Sequence, residues 1–143
     1  MPIKSFRGKM VDGAIDTITL HTNDGSTGYR IKRFDIFPAV QDSAKDSLVC
    51  ISKIEPAAAI TTADFSDNTL LGAALMFNGT YEIQQTIVFD NEVFNQDIYI
   101  TNNDSIGSNA MNYYIELEQI KLDLSENTVA TLKDIRNQEA RFI

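Results

Sequence analysis

Through most of this chain, hydrophobic and polar residues alternate with a period near two, the spacing of strands that bury one face. In residues 14–22 β-branched side chains dominate, and Ile18 and Leu20 alternate with Thr17, Thr19 and His21. The turn-forming run Asn23-Asp24-Gly25-Ser26-Thr27-Gly28 follows, and residues 29–37 read as another strand that stops at Pro38. Together these two segments predict a β-hairpin. Tyr29 and Ile31 lie on one parity and Phe34 and Ile36 on the other, which predicts a bulge near Lys32 and Arg33.

Residues 48–54, 69–77, 81–89, 97–101 and 111–122 show the same character, most clearly where Tyr113, Ile115 and Leu117 oppose Tyr114, Glu116 and Glu118. With residues 5–11 they predict an all-β domain of about eight strands, an antiparallel β-sandwich or jelly roll. Two segments depart from this period. Residues 55–67 contain Pro56 and three consecutive alanines, and read as a loop with a single helical turn. Asp123-Leu124-Ser125-Glu126 has the spacing of a capping box, and Leu124, Val129, Leu132 and Ile135 place one apolar stripe on the segment behind it. A short α-helix is therefore expected over about 124–137, sealing an edge of the sheets or docking on a neighbouring subunit. No repeat, linker or boundary divides the chain, so residues 1–143 are expected to form a single domain.

Composition narrows the chemistry. A net charge of −8 argues against direct nucleic-acid binding, which needs clustered Lys and Arg. The acids are unevenly placed: no Lys or Arg occurs between Lys53 and Lys121, while that stretch holds acids from Glu55 to Glu118. This predicts an acidic half that is either simply solvated or meets a basic surface, such as Arg30-Ile31-Lys32-Arg33 of a sister subunit. One cysteine, Cys50, precludes an internal disulfide, and one histidine, His21, precludes sites that need two or three imidazoles. Cys50 lies in an apolar strand and reads as a buried, inert thiol, whereas His21 reads as a surface residue beside a turn.

No Gly-x-Ser-x-Gly elbow and no phosphate-binding Gly-x-x-x-x-Gly-Lys occurs. Asp90-Asn91-Glu92 and Asn102-Asn103-Asp104 offer oxygen ligands without the register of a dedicated calcium loop. Glu116 and Glu118 are the nearest approach to a pair of catalytic carboxylates, but share one face of one strand and read as solvent-facing. A carbohydrate platform would have to use Tyr113 or Tyr114, one of which must face the core by parity. No enzyme activity, metal or cofactor is expected. The N-terminus has charge but no apolar run behind it, and no stretch is long enough for a membrane helix, so a soluble protein made in a cytoplasm is expected.

The runs Tyr29-Arg30-Ile31-Lys32-Arg33-Phe34-Asp35-Ile36-Phe37-Pro38 and Asn112-Tyr113-Tyr114-Ile115-Glu116-Leu117-Glu118-Gln119, with the tail Thr131-Leu132-Lys133-Asp134-Ile135-Arg136-Asn137, resemble small virion structural proteins of tailed bacteriophages, especially marine ones. The resemblance implies a jelly-roll capsid decoration (cement) protein on the outer shell, a homodimer or homotrimer that contacts the major capsid protein. It implies no catalytic residue. A neck, tail or fibre component of the same virion would share these features, and a carbohydrate-binding module is the alternative from another class. The candidate contact residues are Phe6, Arg30, Lys32, Arg33, Leu132, Ile135 and Arg136.

Overall fold

A computed structural model describes residues 2–22, 26–40 and 44–123, in which the chain forms eight β-strands and no helix. In chain order these are β1 (Ile3–Met10), β2 (Ile15–Ile18), β3 (Thr27–Pro38), β4 (Lys45–Ser52), β5 (Leu70–Asn78), β6 (Glu82–Val88), β7 (Ile98–Asp104) and β8 (Met111–Lys121). Each predicted strand is found, with ends shifted by a few residues. All pairings are antiparallel, in a three-stranded sheet ordered β1-β8-β3 and a five-stranded sheet ordered β2-β7-β4-β5-β6. The partners nest: β1 pairs with β8, β2 with β7 and β4 with β5.

The alternation dictates what is buried. On β8, Met111, Tyr113, Ile115 and Leu117 face in, and on β3 Tyr29, Ile31, Phe34 and Ile36 join them. From the other sheet Ile18, Val49, Ile51, Leu71, Ala74, Ile98 and Ile100 complete the same core cluster. At roughly 25 cal/mol per Å² of apolar surface removed from water, this shared interior is the main stabilising term. The described residues include no helix long and apolar enough to cross a membrane.

Residues 14–22 and 29–37 do not form the predicted hairpin. β2 pairs with β7 and β3 with β8, in different sheets. Local alternation identifies a half-buried strand without naming its partner, and here long-range bonds decide. Leu20 and His21 donate backbone N–H groups to Asp97 Oδ1 at 2.8 and 3.0 Å, while Tyr29 exchanges backbone bonds of 2.7 and 3.0 Å with Phe94. The predicted bulge is present, the β3–β8 register shifting between Ile31 and Arg33.

The helical turn expected in residues 55–67 is absent; the segment is a loop of bends and turns. It lies over the outer face of the five-stranded sheet, where Ile60 packs against a second, smaller cluster of Cys50, Leu70 and Ala73. Beside this loop Lys53, 1% exposed, places its Nζ 2.7 Å from Glu92 Oε1, so burial of the cation is compensated by an ion pair. The helix expected over about 124–137, with Leu132, Ile135 and Arg136, lies outside the described residues.

Candidate functional site

The outward face of the three-stranded sheet gathers most of the charge that the sequence singled out. Without a bulge, Lys32 and Arg33 would point to opposite faces. The extra residue in β3 leaves both exposed and returns Phe34 and Ile36 to the core. Arg30 sits opposite Glu118 of β8 and Arg33 opposite Glu116. The Arg30 guanidinium donates to Glu118 Oε1, and Lys32 Nζ reaches Glu118 Oε2 at 4.0 Å. The hydrogen bond from Arg30 holds the Glu118 carboxyl below its usual range. Arg33 Nε donates to Asp35 Oδ2 at 2.5 Å, which raises the guanidinium pKa, and the same guanidinium lies 5.6 Å from the centre of the Tyr114 ring.

On the other side of β8, β1 contributes Arg7 opposite Tyr114 and Lys9 opposite Asn112. Arg7, Lys9, Asp35, Phe37 and Tyr114 border an open groove of about 510 Å³, and Phe37 is 70% exposed. The sequence reading missed Arg7 and Lys9 and chose Phe6, whose side chain instead packs against the core. Period two starting from the buried Met10 carries the missing signal, since it sends Phe6 and Gly8 inward and Arg7 and Lys9 outward. Arg30, Lys32 and Arg33 are brought together as a face; Leu132, Ile135 and Arg136 are outside the described residues.

Sheet membership sorts the charge of the whole described molecule. Lys4, Arg7 and Lys9 lie on β1, Arg30, Lys32 and Arg33 on β3, and Lys121 on β8. The two lysines of the rest, Lys45 and Lys53, are buried. Every exposed or half-exposed Lys or Arg among the described residues therefore belongs to the three-stranded sheet. The five-stranded sheet and its loops present Glu55, Asp64, Glu82 and Asp90 to solvent.

The residues considered for chemistry have structural partners. Tyr114 Oη donates to Glu116 Oε2 at 2.7 Å, so both strand-face glutamates are held in polar contacts beside arginines. Tyr113 points into the core and Tyr114 outward, as parity requires. Burial pushes the Cys50 thiol up to about 12, which makes it a poor nucleophile. The His21 side chain is 55% exposed and its Nδ1 lies 2.7 Å from Asp97 Oδ1. Among the described residues no group of three or more His, Cys, Asp or Glu side chains could hold a metal ion.

No family model, curated protein or solved structure matches the chain.

Proposed function

We propose that this chain is an adhesive structural module, a capsid decoration protein whose three-stranded sheet docks on an acidic surface of the major capsid protein. The carrying observation is that, among the described residues, every exposed or half-exposed lysine and arginine belongs to one sheet. Such a face attracts an acidic partner and orients the protein as it approaches, while the acidic remainder repels wrong encounters. The bulge at Lys32 concentrates that charge, and the exposed Phe37 beside the groove supplies apolar area.

In this reading the two sheets form a β-sandwich of the jelly-roll type. Nested pairing of β1 with β8, β2 with β7 and β4 with β5 supports the jelly roll. β6 departs from this nesting by pairing with β5 and not with β3; a side-chain bond, Gln84 Nε2 to Ile36 O at 3.1 Å, links it to β3. The protein works as a dimer or trimer on the outer shell, bridging neighbouring capsomers so that internal DNA pressure meets more buried surface. A tail, neck or fibre position in the same virion would use the same face. Carbohydrate binding is disfavoured by Arg33, which stacks over the Tyr114 ring that a sugar would need.

The test is a virion lacking the chain. Loss of heat or pressure resistance with normal DNA content is the expected result, restored by adding back the purified protein. Unchanged resistance rejects the cement role.

A further inference from the structure

β6 is the outer strand of the five-stranded sheet and forms a backbone ladder only with β5 among the described strands; the Gln84 side chain links it to β3 at Ile36 O. Proteins usually blunt such an edge with lysine, proline or an inward-pointing charge. β6 carries no lysine or proline, and its one charge is Glu82 at the first position; from Ile83 to Phe89 the strand is uncharged, in a chain of net charge −8. Gln84, Gln85, Thr86 and Ile87 are exposed.

The backbone groups available there can be assigned. At the ends of the β5–β6 ladder Phe89 N–H donates to Leu71 O at 3.0 Å and Gly79 N–H to Tyr81 O at 3.2 Å. Odd-numbered residues of β6 therefore face β5, and Glu82, Gln84, Thr86 and Val88 direct their N–H and C=O groups to the open edge. The side chains divide the other way. Gln84 reaches the three-stranded sheet at Ile36, whereas Gln85 and Ile87 line an apolar groove on the outer face beside Phe65. Outward, the strand and its flanks thus read Tyr81, Ile83, Gln85, Ile87, Phe89: aromatic, Ile, Gln, Ile, aromatic. This pattern is a palindrome about Gln85, so a two-fold axis there would set like side chains opposite one another, Ile against Ile and aromatic against aromatic.

We infer that β6 is a self-association edge, pairing antiparallel with β6 of a second copy about Gln85 to join the two five-stranded sheets. Gln84 then exchanges backbone bonds with Thr86 of the partner, and Glu82 with Val88. Ile83 faces the partner's Ile87 in the non-hydrogen-bonded positions, where side chains approach most closely. At each end Tyr81, 63% exposed and packed 5.4 Å from Phe77, meets the partner's Phe89, which already contacts Phe65 at 5.3 Å. Glu82 meets a valine, so no like charges oppose each other along the join, unlike the acid-bearing loops elsewhere on this half of the molecule. The inference names the surface of the oligomer proposed above but uses none of the basic face, so either reading can fail alone.

Light scattering with size exclusion on the purified full chain tests it, together with two variants. The wild type is expected to be a dimer at micromolar concentration. Thr86→Pro removes an edge-directed N–H without touching the β5 ladder and is expected to raise the dimer Kd by about tenfold or more. Gln85→Cys places two thiols across the axis, where Cα atoms of a non-hydrogen-bonded pair lie about 4.5 Å apart, within a disulfide's span. Mild oxidation should convert it to a covalent dimer. A monomeric wild type, or a dimer that neither weakens with Thr86→Pro nor cross-links at position 85, overturns the inference.

Discussion

Tyr113 Oη donates a hydrogen bond of 3.1 Å to Asp16 Oδ2, tying β8 of the three-stranded sheet to β2 of the five-stranded one. Gly8, the cross-strand neighbour of Tyr113, leaves room for this ring, since a Cβ there would lie 2.8 Å from the hydroxyl. Burial first, then the nearby Asp16 charge, pushes the phenol up to about 12.

Tyr113→Phe should therefore cost about 1 kcal/mol, a fall in Tm of roughly 3 °C. The phenol pKa is raised on folding, so its contribution is complete below about pH 10, the unfolded value, and is lost as pH climbs towards the folded one. Thermal melts from pH 8 to 11 should show the wild type losing stability faster than Tyr113→Phe in the upper part of that range. Parallel losses would remove Tyr113 as the alkaline-sensitive group.

Asp104, 6% exposed, organises the turn between β7 and β8. Its Oδ1 accepts backbone N–H groups from Asp46 and Ile106 at 3.0 and 3.1 Å, and its Oδ2 accepts Asn109 N–H at 3.0 Å. Burial alone would raise this carboxyl, but these donors and the Asn109 side chain outweigh it and hold the value at about 2. Asp104→Asn should destabilise by about 2 kcal/mol at neutral pH, because a carboxamide accepts on one side only. A depressed folded pKa means the ionised contribution is complete above about pH 4, the unfolded value, and fades as pH falls towards the folded one. Denaturant titrations should show the gap between wild type and variant closing between those limits.

Cys50 is fully buried under the loop of residues 55–69, with its thiol pushed up to about 12. A thiol reagent at pH 8 should leave it unmodified in the native protein and label it within seconds in denaturant. Rapid native labelling would mean that the loop opens readily.

The strands were legible because each buries one face, which writes a period of two into the residues themselves. The bulge at Lys32 was legible for the same reason, as a break in parity between Ile31 and Phe34. Pairing was not legible. Arg30 and Glu118 meet across 88 positions of chain, and nothing local in either strand names the other. The absence of Lys and Arg between Lys53 and Lys121 announced a charge division, but its sharpness depends on β1, β3 and β8 sharing one sheet. Phe6, a candidate contact from the sequence, is half-buried against the core, as its parity with Met10 dictates.

If the basic sheet face docks on a larger assembly as proposed, binding to particles lacking the protein must depend on salt. Wild type should bind at low ionic strength and weaken as salt rises, since exposed charges are screened beyond about 8 Å at physiological salt. The triple variant Arg7→Glu, Lys9→Glu, Arg33→Glu should remain folded and fail to bind under the same conditions. Binding by that variant equal to wild type, with no response to salt, would contradict the account.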